Sequence, residues 1–256
     1  MAACRDDMIC IEATRDGSMV ELAARNLSNV PLTFTVRART RDMSVDGPRT
    51  ITRTLPPLGS NTVMTLRDSN NRHQGDVRYS FDWAVGDKDA QHDDSYVYAL
   101  PYAKGDRVRV LQGYNSRFSH TGLEEFTVDF DMPEGSIVRA AREGVVAAIE
   151  ESNHIGCFRD GCGKYANYIV VVHDDGTTGE YFHLQQDGAL VDVGDTVERG
   201  QKIGLSGNTG HTTMPHLHFA VYRPVIWGST QSIAVRFQGS NGIIERPRRG
   251  AYYTAN

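Results

Sequence analysis

The sequence predicts a mainly β protein, and three observations predict it. Short segments alternate apolar and polar residues at period two, as in the run Leu32 to Thr40 (LTFTVRART). Turn signals rich in Gly, Pro, Asn and Asp recur at roughly ten-residue spacing. No stretch carries the 3.6-residue apolar period of a long amphipathic helix.

The elements follow in order. Residues 18–25 (SMVELAAR) alternate partway, and NLSNVP reads as the turn after them. A half-buried strand is expected at 32–40. Two more are expected within 49–66, around Pro56-Pro57 and Gly59-Ser60, and another at 77–86. This rhythm predicts an antiparallel sandwich over 1–95, read as an accessory immunoglobulin-like β-sandwich domain. The polar stretch 86–95 serves as the linker, and a second domain is expected over 96–256. There, 136–151 reads as two strands meeting at a turn, because Gly144 and the Val145-Val146 step interrupt a helical reading. Residues 165–184 read as a hairpin about the DDGTTG turn, 202–210 as a strand entering a Gly-rich loop, and 216–223 as a strand.

Composition narrows the function classes. The 256 residues carry a formal net charge of -5 with no basic block, so nothing resembles a nucleic-acid footprint. No apolar run approaches the ~20 residues of a membrane helix. The opening MAACRDD has no charged-then-apolar leader. The four cysteines form two close pairs, Cys4/Cys10 and Cys157/Cys162. Such pairs suggest short-loop disulfides and an oxidising compartment, secreted or in the cell envelope, with buried free thiols as the alternative.

Seven of the nine histidines lie at or beyond residue 120, so chemistry is expected in the second region. In a strand, His216 and His218 project to one face with Leu217 and Phe219 behind. Taken alone, this pattern suits surface or core histidines as well as a site. His183 lies in the apolar run EYFHL, where a lone histidine is more often part of the core. His120 is followed by Glu124, Glu125, Asp129 and Asp131. A histidine, a carboxylate and a distant histidine make the three-ligand set of a catalytic zinc, which keeps its fourth position for water.

The order of these residues resembles the lysostaphin/LytM-type zinc peptidases of family M23: a His, an Asp, a His in a strand, then H-x-H. The matching text here is His120, Asp129, His183 and His216-Leu217-His218. The framing segments DFDMPEGSIV (129–138), VGDTVERGQKIG (193–204) and SGNTG (206–210) resemble the family's as well. The resemblance covers about 117–223. It implies an antiparallel LytM-type peptidase domain with a zinc groove, one Zn2+ per chain, and a peptidoglycan peptide as substrate. It implies His120, Asp129 and His218 as zinc ligands, and His183 and His216 as the catalytic pair that does not bind metal.

Many family members have His-x3-Asp, whereas here position 124 is Glu. In the short motif the ligand sits four residues before a Pro, and four before Pro133 is Asp129. Asp129 is therefore expected as the ligand, with Asp131 a competitor on the same face. The Cys157–Cys162 insertion is expected to shape substrate access or to stabilise its loop. His154 and His173 read as loop residues and His211 as groove-lining. A non-catalytic LytM-type activator of other wall hydrolases is the alternative function, and a biotinyl/lipoyl-like carrier leaves the histidines unexplained.

Overall fold

The computed structural model describes residues 2–69 and 75–256, so His73 lies outside the described residues. Among the described residues the fold is mainly β, built mostly of antiparallel sheets, with two short 3-10 turns. Among the described residues no helix is long and apolar enough to cross a membrane. The chain forms two compact units: Met1–Asp89 with Pro224–Thr230, and Ala90–Arg223 with Gln231–Asn256.

In the first unit, one sheet orders strands Ala2–Arg5, Ile9–Asp16, Met19–Asn26, Ser60–Asp68 and Met43–Val45. A second orders Thr50–Leu55, Leu32–Arg41 and Asp76–Val85. The first two strands form a hairpin joined by Cys4–Cys10, with the two cysteines directly opposite in register. The strand at Leu32–Arg41 departs from simple alternation, because Thr33 and Thr35 are buried along with Leu32, Phe34 and Val36. Their hydroxyls explain how polar residues are tolerated there. Thr33 pairs with Thr54 at 2.9 Å, and Thr35 pairs with Thr52 at 2.8 Å. Thr35 also accepts the amide of Trp227 at 3.0 Å, so the returning segment 224–230 contributes to the face that alternation assigned to solvent.

The main sheet of the second unit orders Thr196–Val197, Gly144–Glu150, Tyr168–Val172, Thr178–Phe182, Leu217–Pro224, Val128–Phe130, Arg107–Gln112 and Tyr252–Thr254. Residues 136–151 form two strands, Ile137–Arg139 and Gly144–Glu150, as Gly144 indicated. At Gly144 an added Cβ would lie 2.2 Å from the Val172 carbonyl oxygen, so the close strand pairing requires glycine. One sheet face packs the core with Phe130, Ile169, Val171, Tyr181, Leu217, Phe219 and Val221, all essentially inaccessible. Residues alternate along each strand, so Asp129, Phe182, His218 and Tyr222 share the other face. Cys157 and Cys162 are also bonded, so both cysteine pairs are joined as expected.

His173 lies in the loop after strand Tyr168–Val172, as the sequence suggested, and is buried there. Its Nδ1 lies 2.8 Å from the Glu143 carbonyl oxygen, which makes Nδ1–H the donor. Burial, reinforced by the charge of Arg142, pushes its pKa down to about 4 against the pull of that carbonyl. An unfolded histidine titrates near ~6.5, so between the two values the unfolded chain binds the extra proton. Stability is therefore lost as pH falls from about 6.5 toward 4, by on the order of 3 kcal/mol. His173→Asn keeps a donor near the Glu143 carbonyl and removes the titration. Urea denaturation at several pH values is expected to show a shallower acid loss in this variant than in the parent. Parallel curves would show that His173 does not set the slope.

Candidate metal centre

Strand register builds the centre. Asp129 lies directly opposite His218 between Val128–Phe130 and Leu217–Pro224. Phe182 faces His218 from the other side. His216 immediately precedes its strand and is bridged to Gly207. His183 occupies the corner between strands Thr178–Phe182 and Leu184–Ala189 rather than a strand interior, with φ +65°. A left-handed backbone at a non-glycine residue is strained, and here it turns the ring toward His216 and His218. The ring centroids are 4.6 and 5.8 Å away. His120 is brought in by the loop after strand Arg107–Gln112.

One atom of each of His120, Asp129 and His218 lies within 4.8 Å of the other two. Asp129 Oδ1 is 2.8 Å from His218 Nδ1, 3.3 Å from His120 Nε2 and 3.8 Å from His216 Nε2. Gln112 Nε2 donates to the second carboxylate oxygen, Oδ2, at 2.6 Å. A register shift between Val110 and Gln112 sets Gln112 opposite Asp129. Gln112 also bonds Ser116 and Ser119, at 2.9 Å each, and so ties the approach to His120 to the same strand.

Backbone carbonyls orient three of the imidazoles. His120 Nδ1 lies 3.2 Å from the Gly113 oxygen, His183 Nδ1 lies 2.7 Å from that of Thr209, and His216 Nδ1 lies 2.8 Å from that of Met214. A carbonyl only accepts, so each Nδ1 carries the proton and each Nε2 is left with a lone pair. Burial works against the Asp129 charge, but the bond from His218 and the charges of His218 and His216 hold its carboxyl well below the ordinary range. Burial also works against a charged His218, yet Asp129 raises its pKa. Burial and the charges of His216 and His218 push His183 down to about 3, so that ring is neutral near pH 7.

This donor set fits a cation. With Nδ1–H of His120 turned to Gly113, its Nε2 lone pair faces a carboxylate oxygen, and two lone pairs at 3.3 Å repel. Nε2 is buried and without a hydrogen-bond partner, so a cation between it and the carboxylate removes the conflict. Tetrahedral bonds of about 2.0–2.2 Å separate neighbouring donors by roughly 3.3 Å. The 2.8 and 3.3 Å separations about Asp129 Oδ1 are close to that spacing.

The residues anticipated from the sequence fall together. His120, Asp129, His183, His216 and His218 form one cluster, and all but His183 and His218 are less than 9% exposed. Asp131 follows the strand and does not join the donor group. Glu124 turns to Tyr222 instead, accepting its hydroxyl at 2.5 Å. Sequence reasoning missed Gln112, Tyr222 and Glu180. Glu180 is on the same face, and burial with the nearby charge of Glu124 pushes its carboxyl up to about 7. Tyr222 carried a detectable signal, since it is four residues beyond His218, two strand periods along the same face, whereas Glu180 is three before His183 and so out of period with it. His211 is exposed and stacks on Phe158 of the disulfide loop, with centroids 4.7 Å apart.

Residues 124–233 match the model of Peptidase family M23. Asp129, His183, His216 and His218 lie inside that segment, and His120 lies just ahead of it. Over 131 residues the chain is 40% identical to the peptidoglycan DD-endopeptidase ShyA of Vibrio cholerae, covering 48% of this chain and 28% of that protein. It is 39% identical over 99 residues to the glycyl-glycine endopeptidase ALE-1 of Staphylococcus capitis, covering 38% and 24%. Against lysostaphin of Staphylococcus simulans it is 35% identical over 132 residues, covering 51% and 23%. The aligned segment thus spans about a quarter of these curated relatives. Over residues 124–233 the chain is thus similar to peptidase family M23, the lysostaphin/LytM-type peptidases.

Proposed function

We propose that this protein is a zinc-dependent endopeptidase that hydrolyses peptide bonds of bacterial peptidoglycan, in the stem or the cross-bridge. The observation that carries the reading is the convergence of His120, Asp129 and His218 with the carbonyl-oriented rings of His183 and His216 beside them. His120, Asp129 and His218 are the residues that hold zinc. Zinc at such a set supplies Lewis acidity and lowers the pKa of water toward ~7.

The chain's own groups do the rest. His183 and His216 each present an Nε2 to the space beside Asp129 while their Nδ1 protons are held by carbonyls. This pair takes the proton from the attacking water and hydrogen-bonds the oxyanion that develops on the scissile carbonyl. Asp129 and His218 stay fixed by the strand register and Gln112 throughout. Residues 96–256 form the peptidase domain, with the polar sheet face as the floor of its groove. Residues 1–95 form an accessory immunoglobulin-like β-sandwich, supported by the two sheets of the first unit. The natural site of action is outside the cytoplasm or in the cell envelope, a reading the two disulfides support.

Purified protein is expected to hold about one zinc per chain by elemental analysis, as three protein ligands imply. Chelation abolishes hydrolysis of purified peptidoglycan, followed by mass analysis of the fragments, and added zinc restores it. Full hydrolysis by metal-free protein would overturn the reading. Zinc binding with no bond cleaved in any peptidoglycan would favour the activator function instead.

Four of the site residues should separate into two classes. Asp129→Ala and His218→Ala lose both zinc and hydrolysis. His183→Ala and His216→Ala keep most of the zinc and lose ~10²–10⁴ in rate. A His216 variant that empties the site, beside a His218 variant that keeps zinc, reverses the assignment.

A further inference from the structure

The strand that carries His218 continues to Tyr222, four residues on and on the same face. Tyr222 is 3% exposed, and its hydroxyl donates to Glu124 Oε2 at 2.5 Å. Glu124 ends the 3-10 turn Gly122–Glu124 in the loop that carries His120. Its backbone is pinned by Thr127, whose amide and hydroxyl both bond the Glu124 carbonyl, at 3.2 and 2.9 Å. The Tyr222 proton is therefore committed to a carboxylate, and the oxygen lone pairs face the other way. There they meet His218 Nε2 at 3.5 Å.

We propose that Tyr222 and Glu124 form an outer arm that positions His218 for the metal, a role that rests on the zinc reading of this site. His218 points Nδ1 at Asp129 and hence at the donor group. Nδ1 binds a cation only as a lone pair, so the ring proton must sit on Nε2. A hydroxyl whose own proton is already donated is an acceptor for that Nε2–H. Glu124 in turn adds negative charge behind the ligand, which raises the basicity of the imidazole. The arm also links the two metal-bearing segments: Glu124 belongs to the His120 loop, and Tyr222 to the His218 strand. Tyr222 and Glu124 are thus positioning residues. Glu124, the nearest acid after His120, acts one bond further out than a ligand.

The test measures zinc affinity by competition against a chelator of known strength, on the full chain. Tyr222→Phe removes one oxygen and no carbon, and is expected to bind zinc about 10-fold more weakly. Glu124→Ala is expected to lose a similar factor, and Glu124→Gln, which retains an acceptor for Tyr222, to recover part of it. The double variant Tyr222→Phe with Glu124→Ala should lose no more than the worse single variant, because both break one arm. Thermal midpoints of the metal-free variants, expected to match the parent, separate a positioning role from general loss of structure. A weakened affinity that tracks a lowered metal-free midpoint in Tyr222→Phe overturns the arm. Unchanged affinity in Tyr222→Phe and Glu124→Ala, with zinc still lost in Asp129→Ala, also overturns it and leaves the peptidase reading intact. Loss of zinc in Glu124→Gln as complete as in Asp129→Asn overturns it in favour of Glu124 as a direct ligand. A parent protein without zinc affinity removes both proposals together.

Discussion

The buried carboxylate of Asp129 is the constraint on which the rest of the centre depends. A carboxylate that is only 4% exposed must be compensated, since an isolated buried charge is costly. The chain answers with antiparallel register. Placing Asp129 opposite His218 sets an imidazole nitrogen against one oxygen, and the bulge before Gln112 sets an amide donor against the other. The same register puts Phe130 and Leu217 on the opposite face, in the core. A slip of one residue would bury the histidine side of the strand in the core and expose the apolar side. Core packing thereby fixes the geometry of the polar site.

The imidazoles are held by a different device. His120, His183 and His216 each lie against a backbone carbonyl contributed by a loop. Carbonyls cannot donate, so they fix a tautomer as well as an orientation. His183 adds a left-handed backbone at the corner between two strands. A non-glycine residue there costs on the order of 1–3 kcal/mol, a cost the surrounding pairing must offset. The leucine that follows starts the strand Leu184–Ala189, and its carbonyl accepts the Thr209 hydroxyl at 2.8 Å. Thr209 thus holds the corner through its hydroxyl and the ring through its carbonyl.

Much of this was legible in the sequence wherever the signal is local. Alternation found most of the strands, and the i, i+2 rule placed His216 and His218 on one face. The fixed distance to Pro133 favoured Asp129 over Glu124, and the structure puts Asp129 in the donor group. What escaped has no local signature. Strand Ala2–Arg5 is exposed along its whole length, so it has no apolar alternation to detect. Burial of Thr35 depends partly on a segment nearly 200 residues away. The bond between Tyr222 and Glu124 spans 98 positions, and the left-handed corner at His183 leaves no trace in residue type.

The disulfide loop joins this same framework. The short strand Gly156–Cys157 pairs in parallel with Gly210–His211. The Gly210 amide donates to Ile155 at 2.8 Å, and the Thr212 amide donates to Cys157 at 3.1 Å. The stretch held in this way, 209–214, supplies the carbonyls of Thr209 and Met214 that orient His183 and His216. Gly210 has φ +83°, and a Cβ there would lie 2.6 Å from Ala166, so the stretch has little room to shift. Cys162, buried at the other end of the loop, closes the disulfide and anchors strand Gly156–Cys157 from within. An insertion that in sequence resembles a surface decoration therefore braces the segment that sets the tautomers of His183 and His216. Stabilising the loop and shaping the site are one physical role, because the stabilised backbone is itself the hydrogen-bond acceptor for the site.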